Sequence, residues 1–259
     1  MGYDETMGQM TSLPDQLNDT FQTAAMPGSL SVLDGVAGMC SIVRDQEFKI
    51  RWCNDRCATF QGIPKDEMEG TTFRDFLPMM AAEEREDLHR EVRESREAIS
   101  FVQFFSARRM YCRAMPIDST AFGFDGTLSM AIEAPQPIAD ISETPIRVLK
   151  FPQLAALSVL TNVELRTLYD LACGRSNNDT ALRHFRSVRT IENHVESIHR
   201  KLGTPTRSAL VRFATERGVH GFTPDEWDTI VLGAGEIRKA TAALSRSASQ
   251  RPQPNCNPN

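Results

Sequence analysis

The sequence predicts an α+β protein built from two units, a mixed strand-and-helix unit followed by an all-α unit of four short helices. Three observations carry this. Between residues 30 and 134, strand-like and helix-like segments follow in the order ββαααβββ. Between 160 and 219, four successive segments each combine helical apolar spacing with their own start and stop signals. The intervening stretch, 135–159, holds four prolines and shares the pattern of neither neighbour, so it reads as a linker. A four-helix unit accounts for about sixty residues of the 259, and a second domain is needed for the rest.

Residues 1–28 are rich in Met, Gln, Thr and Asp and are expected to be a flexible lead-in with a short helix over 17–25. Segments 38–44 and 49–53 are expected strands joined by the turn Asp45-Gln46-Glu47. Asn54 opens a helix that Gly62 and Pro64 stop, and a second helical stretch over 66–76 is broken by Gly70. The run 81–95 (AAEEREDLHREVRES) is expected to be a solvated, charged helix with few apolar contacts. Three strands follow, over 99–106, 110–117 and 128–133.

That order, with Asn54-Asp55 directly after the second strand and the run Gly62-Ile63-Pro64-x-Asp66-Glu67-Met68-x-Gly70, resembles the PAS sensor domain. The resemblance implies a five-stranded antiparallel sheet flanked by helices over 29–134, acting as a sensor or dimerisation module. Haem-binding PAS domains use a His on the helix before the third strand. His89 lies there but is surrounded by charge, so a surface histidine is expected. Cys57, in NDRCATF, lacks the residues of a flavin photosensor. No cofactor is expected.

In the second unit, Thr161-x-x-Glu164 reads as a capping box ahead of the apolar row Leu165, Leu168, Leu171 and Ala172, with Gly174 as the stop. Ser176-x-x-Asp179 opens a short helix. Ser187 caps the next, over 187–202, which Gly203 and Pro205 end; Thr206 caps a last helix closed by Gly218. Ile191, Val195, Ile198 and Leu202 form one stripe along the third helix. Arg189, Glu192, Asn193, Glu196 and Arg200 occupy the opposite face, and Thr190, His194, Ser197 and Lys201 the flank.

This segment resembles the LuxR/GerE-type helix-turn-helix domain of bacterial transcription regulators. The matching residues include Leu160-Thr161, Glu164, Gly174, Ser176-Asn177, Thr190-Ile191, Asn193-His194-Val195 and Arg200-Lys201-Leu202-Gly203. It departs from that pattern at Thr180 and His184, where the family usually carries aliphatic residues, and at Glu192 and Glu196, where many members are basic. The departures predict a less well packed second helix. The resemblance implies that 187–202 is a recognition helix for the major groove of double-stranded DNA. Arg189, Glu192, Asn193 and Glu196 are the expected base readers, and Ser187, Thr190, His194, Arg200, Lys201 and Arg207 the expected phosphate contacts.

Charge agrees with this division. The chain carries a net −5, yet 160–219 holds ten basic and six acidic residues, leaving 19 and 28 elsewhere. The six cysteines form no C-x-x-C pair, no His/Cys spacing suits a metal, and phosphate-loop and G-x-S-x-G motifs are absent. Without a leader or an apolar span of about 18 residues, a cytoplasmic, non-enzymatic protein is expected.

The function this predicts is a DNA-binding transcription regulator, acting as a homodimer and contacting RNA polymerase or a signalling protein. The alternative is a protein-interaction module whose helix-turn-helix no longer reads DNA. Residues 151–219 are expected to fold alone. Residues 220–259 are expected to form a helix to about residue 243, with Trp227, Ile230, Val231 and Ile237 packing on a partner, and a disordered tail from Ser245.

Overall fold

The computed structural model describes residues 28–137 and 146–249. The expected lead-in helix over 17–25 and the end of the tail lie outside them. The N-terminal unit is a sheet of β1 (Met39–Asp45), β2 (Ile50–Cys53), β3 (Ile99–Phe105), β4 (Arg108–Ile117), β5 (Gly126–Glu133) and β6 (Arg147–Val148). Its order is β2-β1-β5-β4-β3-β6. The five expected strands pair antiparallel, while the unexpected sixth lies parallel to β3. Gly126 is required where β5 crosses β1, because a Cβ there would sit 2.0 Å from the Arg44 carbonyl oxygen.

Asn54 ties the first helix, α1 (Asp55–Gln61), to the sheet. Its Oδ1 accepts from the Cys57 and Ser41 amides, both at 3.0 Å, and its Nδ2 donates to Leu33 O and Met39 O. A buried amide using both ends is stabilising where a half-used one would not be. Two single-turn helices follow, α2 (Lys65–Met68) and α3 (Phe73–Phe76).

Helix α4 (Met79–Ser95) departs from expectation. Ala81, Arg85, Leu88, His89 and Val92 are all buried, so the helix has a stripe facing the sheet that its composition disguises. His89 is therefore an interior residue, not the surface histidine its charged neighbours suggest. A short helix α5 (Ser119–Phe122) precedes β5.

The segment read as a linker is partly built into the sheet. Beyond β6, Leu149 N donates to Val102 O and Gln153 N to Phe104 O. The Glu84 carboxylate of α4 accepts from the amides of Lys150 (2.6 Å) and Phe151 (3.0 Å). The segment ends in a 3-10 turn, Ala155–Val159.

The helical unit comprises α6 (Asn162–Ala172), α7 (Asn177–Arg183), α8 (Val188–Leu202), α9 (Arg207–Glu216) and α10 (Pro224–Ser249). All four expected N-caps are present: Thr161 and Ser176 in capping boxes, Ser187 and Thr206 as single caps. α10 runs past Ser245, where a disordered tail was expected.

Trp227 on α10, 1% exposed, packs edge-on against Phe104 of β3 at 5.3 Å and is stacked with Tyr169 at 6.0 Å. Its Nε1 donates to Leu165 O at 3.0 Å. Val102 and Phe104 of the sheet and Ala107 of the β3–β4 turn thereby share one core with Leu157, Leu165, Leu168, Ile198, Ile230 and Val231. Trp227, Ile230 and Val231 therefore fill this chain's own interior rather than a partner's surface. Ile237 packs beside the cluster that includes Leu88 and Val92. Among the described residues, no helix is long and apolar enough to cross a membrane.

This core revises the expectation that 151–219 folds alone, since that fragment lacks Trp227. Trp227→Ala should cost about 3–5 kcal/mol, as large-to-small core substitutions of aromatics do. A 151–219 fragment should unfold at lower urea than one of 151–249; equal midpoints would show that α10 is not part of the folding unit.

Candidate nucleic-acid interface

Helices α6, α7 and α8 set the geometry of the site. Ile191 and Ile198 of α8 are fully buried, with Val195 and Leu202 partly so. The opposite face is open: Arg189, Glu192, Asn193 and Glu196 are all exposed. The four expected base readers thus share one surface, with Arg189 Nη1 3.8 Å from Glu192 Oε2.

The expected phosphate contacts divide. Ser187 Oγ accepts from Thr190 N at 3.1 Å and lies 2.8 Å from Thr190 Oγ1, so both hydroxyls serve the α8 cap. His194 is half-buried and Arg200 is exposed, donating to Ser197 Oγ at 3.4 Å. Arg207 donates to Asn177 Oδ1 and Arg175 O, joining α9 to the start of α7. Lys201 is committed inward: its Nζ lies 2.9 and 2.6 Å from the two oxygens of Glu164.

Glu164 is a buried carboxylate that sequence reasoning took only as a cap. It accepts from Thr161 N (2.7 Å), Ser197 Oγ (2.7 Å) and Lys201 Nζ, so one side chain joins the start of α6 to the end of α8. Burial alone would raise its pKa, but the bonds from Lys201, Ser197 and Thr161 outweigh burial and bring it down to about 2.

Asp170, also on α6, was missed as well. Its carboxylate meets Arg175 Nη1 at 2.6 Å, Arg183 Nε at 3.4 Å and His184 Nε2 at 2.6 Å. Thr180, fully buried, bonds Ser176 O through its hydroxyl. The two departures in α7 are thus satisfied by hydrogen bonds rather than loosely packed. The pairing of a His at the end of α7 with an Asp on α6 was the available signal. In the turn between α7 and α8, Phe185 adopts φ +53° and is 92% exposed, with Leu182 exposed beside it.

In the N-terminal unit, a cavity of about 90 Å³ lies between the sheet and α4, lined mainly by Phe and aliphatic residues with Arg44, Arg85, His89 and Gln103. His89 Nδ1 lies 2.7 Å from Thr127 Oγ1, and its ring meets Phe73 edge-on. Burial, with Arg44, Arg93 and Arg85 nearby, brings its pKa down to about 3, so the ring is neutral. Cys40, Cys53, Cys57 and Cys112 are buried free thiols. Among the described residues, no group of three or more His, Cys, Asp or Glu side chains could hold a metal.

Two domain families match the chain. The PAS fold covers residues 33–133, and the luxR family of bacterial regulatory proteins covers 158–214. The chain carries an N-terminal PAS domain followed by a C-terminal LuxR-type helix-turn-helix domain. No curated protein matches it.

Among solved structures it is similar to the Vibrio cholerae VqmA dimer without target DNA, at 16% identity over 77% of this chain and 91% of that one, with a TM-score of 0.38. A VqmA–ligand–DNA complex from the same organism gives 16%, 77% and 90%, with a TM-score of 0.42. A phage VqmA–DPO complex gives 20%, 80% and 93%, with a TM-score of 0.38.

Because the folded pKa of Glu164 lies below its ordinary 4.5, its contribution is complete above about pH 4.5 and is lost as pH falls toward about 2. Glu164→Gln should flatten the acid limb of stability in that window. Thermal unfolding followed across it by circular dichroism checks this, and an unchanged acid limb in the variant would count against the assignment.

Proposed function

We propose that the protein is a non-enzymatic, sequence-specific DNA-binding transcription regulator. It acts as a homodimer with α8 in the major groove, and its PAS domain sets activity through a ligand, dimerisation or partner contact. The observation that supports this most is the open polar face of α8, carried on a helix whose opposite side is anchored by Ile191 and Ile198. Asn193 can bond adenine N6 and N7, Arg189 guanine O6 and N7, and Glu192 or Glu196 can accept from cytosine N4. Each such pairing contributes about 1–3 kcal/mol of discrimination. One such module reads few base pairs, which is the reason to propose a symmetric dimer on two half-sites. RNA polymerase or a signalling protein is the further partner we propose.

Phosphate binding falls best to Arg200, with Ser187, Thr190 and His194 along the flank. Lys201 and Arg207 contribute mainly by holding helices together. A second reading, engagement of a protein instead of DNA, draws on Leu182 and Phe185, two exposed apolar side chains at the end of α7 and in the turn before α8.

Selection of bound sequences from a random DNA pool tests both readings. Enrichment of a two-half-site motif is expected, and no enrichment would favour the protein-binding reading. Glu192→Lys should raise general affinity while blurring the motif. Arg200→Ala should weaken all sequences alike and lower the salt slope by about one. Lys201→Ala should chiefly reduce stability, because it strips the counter-charge from buried Glu164.

A further inference from the structure

The PAS cavity holds a cation without a counter-charge among the described residues. Arg44, on β1, is 4% exposed, with its guanidinium carbon 3.9 Å above the Phe73 ring. A guanidinium has five N–H donors. Among the described residues only one hydrogen bond engages them, from Nη1 to Phe48 O at 2.8 Å, and no carboxylate lies within 4.0 Å. The nearest acids are spoken for. Asp45 pairs with Arg51 and accepts from the Glu47 and Lys49 amides, and Asp75 closes the cap of α3. Burial lowers the pKa of Arg44 only to about 10, so it stays charged at neutral pH.

The second cavity arginine differs. Arg85, equally buried, donates to Gln103 Oε1 from Nε and Nη2, and to Ala81 O and Phe151 O from Nη1. Its donors are largely used, and Glu84 Oε2 lies 3.8 Å from its Nη1, so Arg85, unlike Arg44, already has a counter-charge. His89 is neutral, and among the described residues no Asp or Glu lines the cavity. A buried charge left unpaired is costly, and the economical remedy is an anion brought from outside.

Size and wall chemistry narrow the anion. Phe60, Phe73, Phe101 and Phe105 supply apolar walls, which suit a hydrocarbon body and penalise a multiply charged ion. A cavity of about 150 Å³ holds benzene, so 90 Å³ suits a smaller molecule, of about four or five non-hydrogen atoms.

We propose that this cavity binds a short-chain monocarboxylate, its carboxylate on the unused donors of Arg44 and its hydrocarbon body against Phe60, Phe73 and Phe105. The proposal rests on the reading of the N-terminal unit as a sensor and names the chemical class of its ligand.

The test is thermal unfolding of the full chain with acetate or propionate, against acetamide, propionamide and inorganic phosphate at matched ionic strength. The acids are expected to raise the melting temperature saturably, as a ligand of the folded state does, with little effect from the amides or phosphate. Arg44→Met keeps an apolar stem and removes the charge. It should melt at or above the wild type without ligand, and lose roughly tenfold or more in carboxylate affinity. Equal shifts from acid and amide, a phosphate shift as large as that of propionate, or an undiminished response in Arg44→Met would overturn the proposal. If Arg44→Met fails to fold, the acid-against-amide comparison on the wild type decides alone. No DNA is present in these measurements, so their failure is separable from failure of the DNA-binding reading.

Discussion

Trp227 stands where sheet and helices meet, and the arrangement of both depends on it. An indole buries roughly 150–250 Å² and, when interior, needs a partner for its N–H. Here Phe104 of β3, Tyr169 and Phe222 surround the ring, and Leu165 O accepts the hydrogen bond from its N–H. The outer face of the sheet and the back of the helix-turn-helix are thus parts of a single interior. Arg109 adds a polar seam at its rim, its amide donating to Arg217 O and its guanidinium to Ala134 O and Gln136 O. The helices that present α8 are consequently seated on the sheet instead of hanging from a free tether.

Within that seat, α6 fixes α8 through two carboxylates. Glu164 holds the far end of α8 and Asp170 holds the turn before its near end. Both are buried, and each is compensated by several donors, the condition under which an interior charge is tolerated. The exposed residues of α8 can then vary in charge, as Glu192 and Glu196 do, without disturbing how the helix sits.

Much of this was legible in the sequence, for local reasons. Caps at Thr161, Ser176, Ser187 and Thr206 and stops at Gly62, Gly174 and Gly203 are decided within a few residues, so spacing alone finds them. The exposed face of α8 was legible for the same reason. Non-local pairing was not. Nothing near Lys201 announces that its ammonium belongs to Glu164, 37 positions earlier. Helix α4 hid its inner stripe because two members are Arg and His, whose partners Gln103 and Thr127 lie on distant strands. For Arg44 a signal existed: strict alternation in β1 places it with Cys40 and Ile42 on one face, and period-two reading would have brought it inside.

The two edges of the sheet carry a consequence for how copies of this chain can meet. On one side β3 is covered by two-residue β6; on the other, Ile50 of four-residue β2 donates to Thr71 O and accepts from Gly70 N. Exposed strand edges are templates for adding another chain's strand, and short or covered edges blunt them. Continuous strand addition is therefore closed off at both margins. Self-association through this sheet has to use helix surfaces or the remaining outer face, which favours a discrete, terminating assembly over open-ended polymerisation.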